Sequence, residues 1–215
     1  MKNIIEKLSV YKLVPVATLD NPKKAVTLSH TLRENGLPLI EITFRTQTAE
    51  ESIRQVRKTH PDMIIGSGTI LNIDQATAAR NAGADFLVSP GFNPVVVGYC
   101  IKNSIPIIPG VDSPTLIEMA LEKGIRLVKF FPAQQSGGID YLRAIAGPYN
   151  DIRFMPTGGI NPDNLTDYLA FKKVVACGAS WVVPSSSVSG GDFVEIGRRL
   201  RKALGIIHGK MSKRQ

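Results

Sequence analysis

Short β-rich runs alternate with segments of helical periodicity along the chain, and this alternation limits the possible folds more than any other feature. The runs cover residues 14–19, 39–45, 63–70, 86–89, 106–109, 127–131, 153–157 and 174–183. Strands that alternate with helices predict a parallel sheet with crossover connections. Eight such units in 215 residues favour an α/β fold, a closed (β/α)8 TIM barrel preceded by a short N-terminal helix. An open doubly wound sheet is the alternative.

The chain has no long linker and no low-complexity block, so it is expected to form one domain over residues 1–215, with a flexible basic tail at about 209–215. No apolar run approaches the ~20 residues that span a bilayer. The N-terminus mixes charged with apolar residues and lacks the apolar stretch of a secretory signal. We therefore expect a cytoplasmic protein without membrane association.

The formal net charge of +8 has two interpretations: a solvated basic surface, or attraction of an anionic partner. Nucleic acid is the weaker candidate partner, because the basic residues are scattered and are not interleaved with aromatics. The two cysteines lie far apart, and no histidine pair has metal-ligand spacing. We expect no disulfide, no metal and no cofactor.

The second β-rich run carries charge inside an otherwise apolar strand. With a period of two, Glu41, Thr43 and Arg45 share one face, and the apolar residues between them share the other. A strand covered on both sides rarely buries two charged side chains. Either they form a structural ion pair inside the barrel, or they face a ligand.

The sixth run places a single lysine, Lys129, in the apolar sequence LVKFFP. A structural interpretation is a lysine that reaches solvent or pairs with a carboxylate. The functional interpretation is an amine that desolvation and a nearby cation such as Arg45 keep neutral, as attack on a ketone requires.

Polar residues and glycines also follow other runs, at the strand ends where barrels bind ligands. Thr69 ends the third run, and Pro90 follows the fourth. The seventh ends in Thr157-Gly158-Gly159, and Ser180 lies in the eighth. Loops after the last two strands of a barrel often bind phosphate. A Gly-Gly pair alone is weak evidence, because turns use it everywhere, but its place after the seventh run, with Ser180 in the next, favours a phosphate site.

These residues, in this order, resemble the 2-dehydro-3-deoxy-6-phosphogluconate aldolase family, also called KDPG/KHG aldolases. The resemblance extends over nearly the whole chain, in residues 41–46 (EITFRT), 66–69 (GSGT), 89–91 (SPG), 107–110 (IIPG), 129–133 (KFFPA), 146–148 (AGP), 156–160 (PTGGI) and 180–184 (SWVVP). The family is a trimeric class I aldolase without a metal.

The resemblance implies that Lys129 forms the imine and that Glu41 is the acid/base. It further implies that Arg45 and Thr69 hold the substrate carboxylate. Pro90 and Phe131 would line the pocket, with Thr157 near the substrate chain. Gly158, Gly159 and Ser180 would hold the phosphate.

The substrates implied are 2-dehydro-3-deoxy-6-phosphogluconate, 4-hydroxy-2-oxoglutarate or the corresponding phosphogalactonate. Gln134 departs from the glutamate expected in much of the family, and residues 111–114 (VDSP) are a variant of the usual loop. Both departures leave the preference among related substrates open. The competing predictions are a sugar-phosphate isomerase or epimerase on a phosphate-binding barrel and, more remotely, a non-catalytic basic protein that binds nucleic acid.

Overall fold

The computed structural model describes residues 2–211, with the side chains of residues 3–209. Nine strands lie within this part of the chain. They are β1 (Leu13–Ala17), β2 (Leu39–Thr43), β3 (Ile64–Gly68), β4 (Phe86–Val88), β5 (Ile107–Ile108), β6 (Gly110–Val111), β7 (Leu127–Phe130), β8 (Arg153–Phe154) and β9 (Cys177–Ala179). Every pairing between these strands is parallel, as the alternation predicted.

The prediction of a closed eight-stranded (β/α)8 barrel is wrong. A curled six-stranded sheet has the order β5-β4-β3-β2-β1-β9, and a separate three-stranded sheet has the order β6-β7-β8. One break falls at Pro109, the last residue of the fifth predicted run, which separates β5 from β6 because proline has no N–H to donate to a ladder. The other break separates β8 from β9. There the isolated bridges Phe154–Val174 and Thr157–Gly178, on either side of Pro156, replace continuous strand pairing.

Helices cover the strands. An N-terminal helix, α1 (Lys2–Tyr11), precedes β1 as predicted. The others are α2 (Pro22–Glu34), α3 (Ala49–Thr59), α4 (Ile73–Ala82), α5 (Pro94–Lys102), α6 (Pro114–Glu122), α7 (Gly138–Ala146), α8 (Leu165–Ala170), a 3-10 helix (Ser180–Val182), α9 (Ser185–Gly190) and α10 (Phe193–Met211). Of the tail predicted at 209–215, residues up to Met211 continue α10, and residues 212–215 lie outside the described part.

The strands are short apolar segments, and β1, β2, β3 and β7 are buried along nearly their whole length. Their side chains join those of the covering helices in one continuous hydrophobic cluster. This burial supplies the main drive for folding. Because the strands are parallel, their carboxyl ends lie at one rim of the molecule, and the site lies there. None of the helices described is long and apolar enough to cross a bilayer.

A histidine is buried where α2 and α3 pack together. His60 is 7% exposed, and its ring stacks on His30 with 6.1 Å between centroids. Arg33 Nη1 lies 3.0 Å from His60 Nδ1, and a guanidinium can only donate, so this nitrogen accepts. Burial lowers the pKa of His60 below its usual 6.5, helped by the charges of Arg33 and His30 and opposed by Asp62.

Because its pKa is lower in the folded state, His60 makes stability dependent on pH. The unfolded chain binds the proton first on acidification, so stability is complete above about pH 6.5 and is lost as the pH falls through the folded value. We expect His60→Asn to flatten this loss, which for one proton cannot exceed about 1.4 kcal/mol per pH unit. Urea unfolding between pH 8 and pH 5 measures it, with the exposed His208→Asn as control. Equal pH slopes in wild type and His60→Asn would contradict the assignment.

Candidate active site

A cavity of about 400 Å³ opens at the rim where the carboxyl ends of the strands meet. Both sheets contribute to it, since β2 belongs to the six-stranded sheet and β7 to the three-stranded one. Its lining combines residues predicted for the site with others. The lining residues are Val16, Thr18, Glu41, Thr43, Arg45, Thr69, Lys129, Phe131, Thr157, Gly158, Ser180, Trp181, Val183, Pro184 and Ser185.

The buried base of the cavity holds Lys129 and Glu41. Their residues are 5% and 0% exposed, and Nζ lies 3.8 Å from Oε1. The same Nζ lies 4.8 Å from the centroid of the Phe131 ring. Within the described residues, neither carboxylate oxygen of Glu41 has a hydrogen-bond partner. An amine and a carboxylate thus face each other away from bulk solvent, where a carboxylate can exchange protons with a group bound to the amine.

A cationic group lies beside them at the mouth of the cavity. Arg45 follows β2, and its Nε donates to Thr69 Oγ1 at 3.3 Å. Thr69 has a positive φ of 60°, a conformation that is strained for a β-branched residue and is often found at functional sites. The guanidinium and the hydroxyl together offer several donors to a carboxylate.

The glycine pair after β8 forms a loop fixed from behind. Gly158 and Gly159 both have positive φ, at 99° and 74°. The Gln134 N–H donates to the Gly158 carbonyl at 3.0 Å, and Asn164 Nδ2 donates to the Gly159 carbonyl at 2.9 Å. Among the described residues, neither N–H group of the pair donates to a protein acceptor. Fixed carbonyls and free N–H groups are what an anion-binding loop needs.

The side chain of Gln134 lies outside the cavity, on the far side of this loop. Its Oε1 accepts from the Tyr168 hydroxyl at 3.2 Å and lies 3.4 Å from Asn164 Nδ2. Burial raises the pKa of Tyr168 to about 12, so its hydroxyl remains a donor at neutral pH. This departure from the family pattern therefore supports the loop rather than lining the pocket.

Two residues predicted for the site are not among those that line the cavity. Gly159 lies behind Gly158, against Gln134. Pro90 lines a separate surface pocket of about 280 Å³ that it shares with Leu71 and Phe92. The other predicted residues lie together, although they come from strands far apart in the sequence.

The cavity wall also contains residues that the sequence patterns did not predict, among them Thr18 and Trp181. Thr18 Oγ1 lies 2.9 Å from Thr43 Oγ1, and Thr43 donates to the Ala17 carbonyl at 3.2 Å. Alternation along the first run would have found Thr18, because it shares a face with Val16. Trp181 offers no such signal: it lies in a 3-10 helix, where period two does not apply.

The arrangement of possible metal ligands bears on the kind of substrate that the cavity could bind. Within residues 2–211, His, Cys, Asp and Glu side chains form no group of three or more that could hold a metal ion. Among the described side chains that line the cavity, the donors are one lysine, one arginine, the indole of Trp181 and several hydroxyl groups, and the one carboxylate is that of Glu41. Such a set suits an anionic organic substrate.

The sequence model of the "KDPG and KHG aldolase" family matches residues 4–199. The chain belongs to this family. The resemblance predicted from the sequence motifs is thereby confirmed. The 2-dehydro-3-deoxy-phosphogluconate aldolase of Haemophilus influenzae is 47% identical over 206 residues, which cover 96% of this chain and 97% of that protein. The KHG/KDPG aldolase of Escherichia coli is 38% identical, covering 92% of each.

A solved structure of the family is similar in fold as well. The KDPG aldolase of Legionella pneumophila superimposes with a TM-score of 0.89 at 33% identity, covering 94% of this chain and 98% of that one. That structure was determined with pyruvate captured at low pH as a covalent carbinolamine intermediate. Covalent capture of pyruvate is thus documented for a KDPG aldolase with this fold.

Proposed function

We propose that the chain is a class I aldolase that cleaves 2-dehydro-3-deoxy-6-phosphogluconate to pyruvate and glyceraldehyde 3-phosphate through a Schiff base on Lys129. The observation that carries the assignment of roles is the buried Lys129–Glu41 pair, 3.8 Å apart at the base of the cavity. Membership of the family supports the reaction class.

The reaction begins when the neutral Lys129 amine attacks the C2 ketone and forms a carbinolamine. Loss of water leaves an iminium, which is an electron sink. A base removes the proton of the C4 hydroxyl, the C3–C4 bond breaks, and its electron pair moves into the enamine. Glyceraldehyde 3-phosphate leaves. Protonation of the enamine at C3 and addition of water then release pyruvate and restore the amine.

Glu41 is the proposed proton carrier in these steps, directly or through a water molecule. Its carboxylate is buried beside the amine, and no hydrogen bond to the described protein holds its oxygens. A general acid/base placed in this way supplies ~10²–10⁴-fold in rate. Phe131, whose ring packs near Nζ, helps to exclude bulk water from the imine.

The two ends of the substrate are proposed to bind on opposite walls. Arg45 and Thr69 hold the carboxylate, because a guanidinium binds this group in a bidentate manner. The phosphate binds Ser180 and the N–H groups of Gly158 and Gly159, whose carbonyls are held away. Thr157 lies between the two ends.

The second candidate substrate is 4-hydroxy-2-oxoglutarate, which would yield pyruvate and glyoxylate. The match to a family that includes both KDPG and KHG aldolases supports it. This substrate has no phosphate, so a comparison of the two substrates isolates the contribution of the phosphate seat.

We expect Ser180→Ala to lower kcat/KM for the phosphorylated substrate by roughly tenfold, the cost of one hydrogen bond to a charged group. Cleavage of 4-hydroxy-2-oxoglutarate should change by less than twofold. Steady-state assays coupled to pyruvate release measure both substrates side by side. Equal losses on the two substrates would remove Ser180 from the phosphate seat. Cleavage of neither by wild type, with turnover of a sugar phosphate isomer, would favour the rival isomerase.

The family relationship also supports three properties of the whole protein: a single aldolase domain, a cytoplasmic location and a homotrimeric assembly. For the assembly there is additional support on the surface. Leu71 and Val95 are 52% and 64% exposed, and their segments adjoin each other through an Asn93–Leu71 hydrogen bond. Exposed apolar side chains of neighbouring segments are suited to burial between subunits.

A further inference from the structure

Gly68, the last residue of β3, lies against the carboxylate of Glu41 on the neighbouring strand. A Cβ built on Gly68 would overlap Glu41 Oε1, and it would lie 2.8 Å from Cδ and 3.1 Å from Cγ. Real Cβ atoms essentially never come as close as these approaches to Oε1 and Cδ, and the approach to Cγ is tighter than most. The φ of Gly68 is not among the positive values of the chain, so its backbone accepts any residue. The constraint at this position is therefore the space taken by Glu41.

Little else in the described protein determines where this carboxylate lies. Both oxygens are buried and without a hydrogen-bond partner, and the one ion pair of Glu41 is the 3.8 Å approach of Lys129 Nζ. A side chain held so loosely by polar contacts takes its position from the shape of its surroundings. The space above Gly68, which a side chain would fill, is the part of that shape in which Oε1 lies.

We propose that Gly68 is a positioning residue for proton transfer: its missing side chain leaves the space in which the Glu41 carboxylate stays within reach of Lys129. The inference rests on the proposed function, because it concerns the proton steps at the imine. A methyl group at this position would push the carboxylate away from its place beside the amine. Imine formation by Lys129 itself would remain possible.

Gly66 provides a matched control on the same strand. It lies two residues earlier and therefore faces the same side of the sheet. A Cβ there would meet the ring of Phe86, with 2.7 Å to Cε2, and not the carboxylate. Gly66→Ala thus introduces the same methyl group into the same strand, but it disturbs a core side chain.

The experiment is a double-mutant cycle between Gly68→Ala and Glu41→Asp. Aspartate is one methylene shorter, so it withdraws the carboxylate and makes room for the new methyl group. We expect Gly68→Ala to slow cleavage and exchange of the pyruvate methyl protons about 10²-fold or more. Trapping of pyruvate on Lys129 by borohydride should still occur. The double variant should be at least tenfold more active than it would be if the two single losses simply multiplied. Gly66→Ala combined with Glu41→Asp should give multiplicative losses.

Three outcomes would overturn the inference. One is a Gly68→Ala variant that keeps more than half of the wild-type exchange rate. The second is a double variant whose loss equals the product of the single losses. The third is that neither Gly68→Ala nor the double variant folds. If the methyl group conflicts only with the Glu41 carboxylate, the shorter aspartate should restore folding. Wild-type protein that neither cleaves the substrate nor exchanges pyruvate protons would reject the proposed function and this inference with it. The first three outcomes arise with an active wild type, and they reject the inference alone.

Discussion

Lys129→Arg is expected to lower the rate of cleavage of 2-dehydro-3-deoxy-6-phosphogluconate by on the order of 10⁴-fold or more, as loss of a covalent nucleophile does elsewhere. The guanidinium stays protonated at any ordinary pH and cannot attack a ketone. It does keep a positive charge opposite Glu41, whose side chain is fully buried. The variant therefore removes the nucleophile while it preserves the charge pair.

The measurement is reduction with borohydride in the presence of pyruvate, followed by mass mapping of the labelled peptide. Wild type should carry one adduct on Lys129, and Lys129→Arg should carry none. Lys129→Met is the companion variant. It lacks the nucleophile as well, and it leaves the Glu41 carboxylate without its ion pair. It should therefore be less stable than Lys129→Arg by ~3 kcal/mol, the usual cost of removing one partner of a buried ion pair. An adduct on another lysine would refute the assignment of the nucleophile.

Glu41→Gln is expected to reduce kcat by ~10²–10⁴-fold, the usual contribution of a general acid/base. Glutamine has nearly the same shape, so the cavity and the position of Lys129 should be maintained. Exchange of the pyruvate methyl protons with solvent, followed by NMR, should slow by a similar factor, because the enamine is formed and discharged by proton transfer at C3.

The control for this variant is the extent of borohydride trapping after long incubation with pyruvate. It should approach that of wild type, since Lys129 is still present. Exchange at the wild-type rate would show that another group, or solvent, carries the proton. Loss of the adduct together with loss of exchange would instead indicate that Lys129 had been displaced.

Much of the site follows from period and polarity. Alternation along the second run predicted that Glu41, Thr43 and Arg45 share a face, and Glu41 and Thr43 are indeed buried on the wall of the cavity. The lone polar residue of the sixth run predicted Lys129 as the buried amine. Parallel strands bring their carboxyl ends together, so residues from distant runs could be expected at one rim.

The parts that could not be predicted depend on tertiary structure. The two interruptions of strand pairing lie near prolines. From the sequence alone, however, a proline does not show whether the strand pairing continues after it. Thr69 adopts a positive φ, which its β-branched side chain disfavours and which no local signal indicates. The role of Gln134 behind the glycine loop depends on Tyr168 and Asn164, which lie 34 and 30 residues further along the chain.

The two interruptions also decide how the reacting groups are held relative to each other. Glu41 belongs to the six-stranded sheet and Lys129 to the three-stranded one, and the sheets connect through Pro109 and through two isolated bridges. The distance between amine and carboxylate thus depends on how the two sheets are placed relative to each other, and not on the spacing within one sheet. A substrate bound as proposed contacts Arg45, next to the six-stranded sheet, with one end and the glycine loop, next to the three-stranded sheet, with the other. Binding of its phosphate end would thereby influence the position of Glu41 relative to the carbon that reacts.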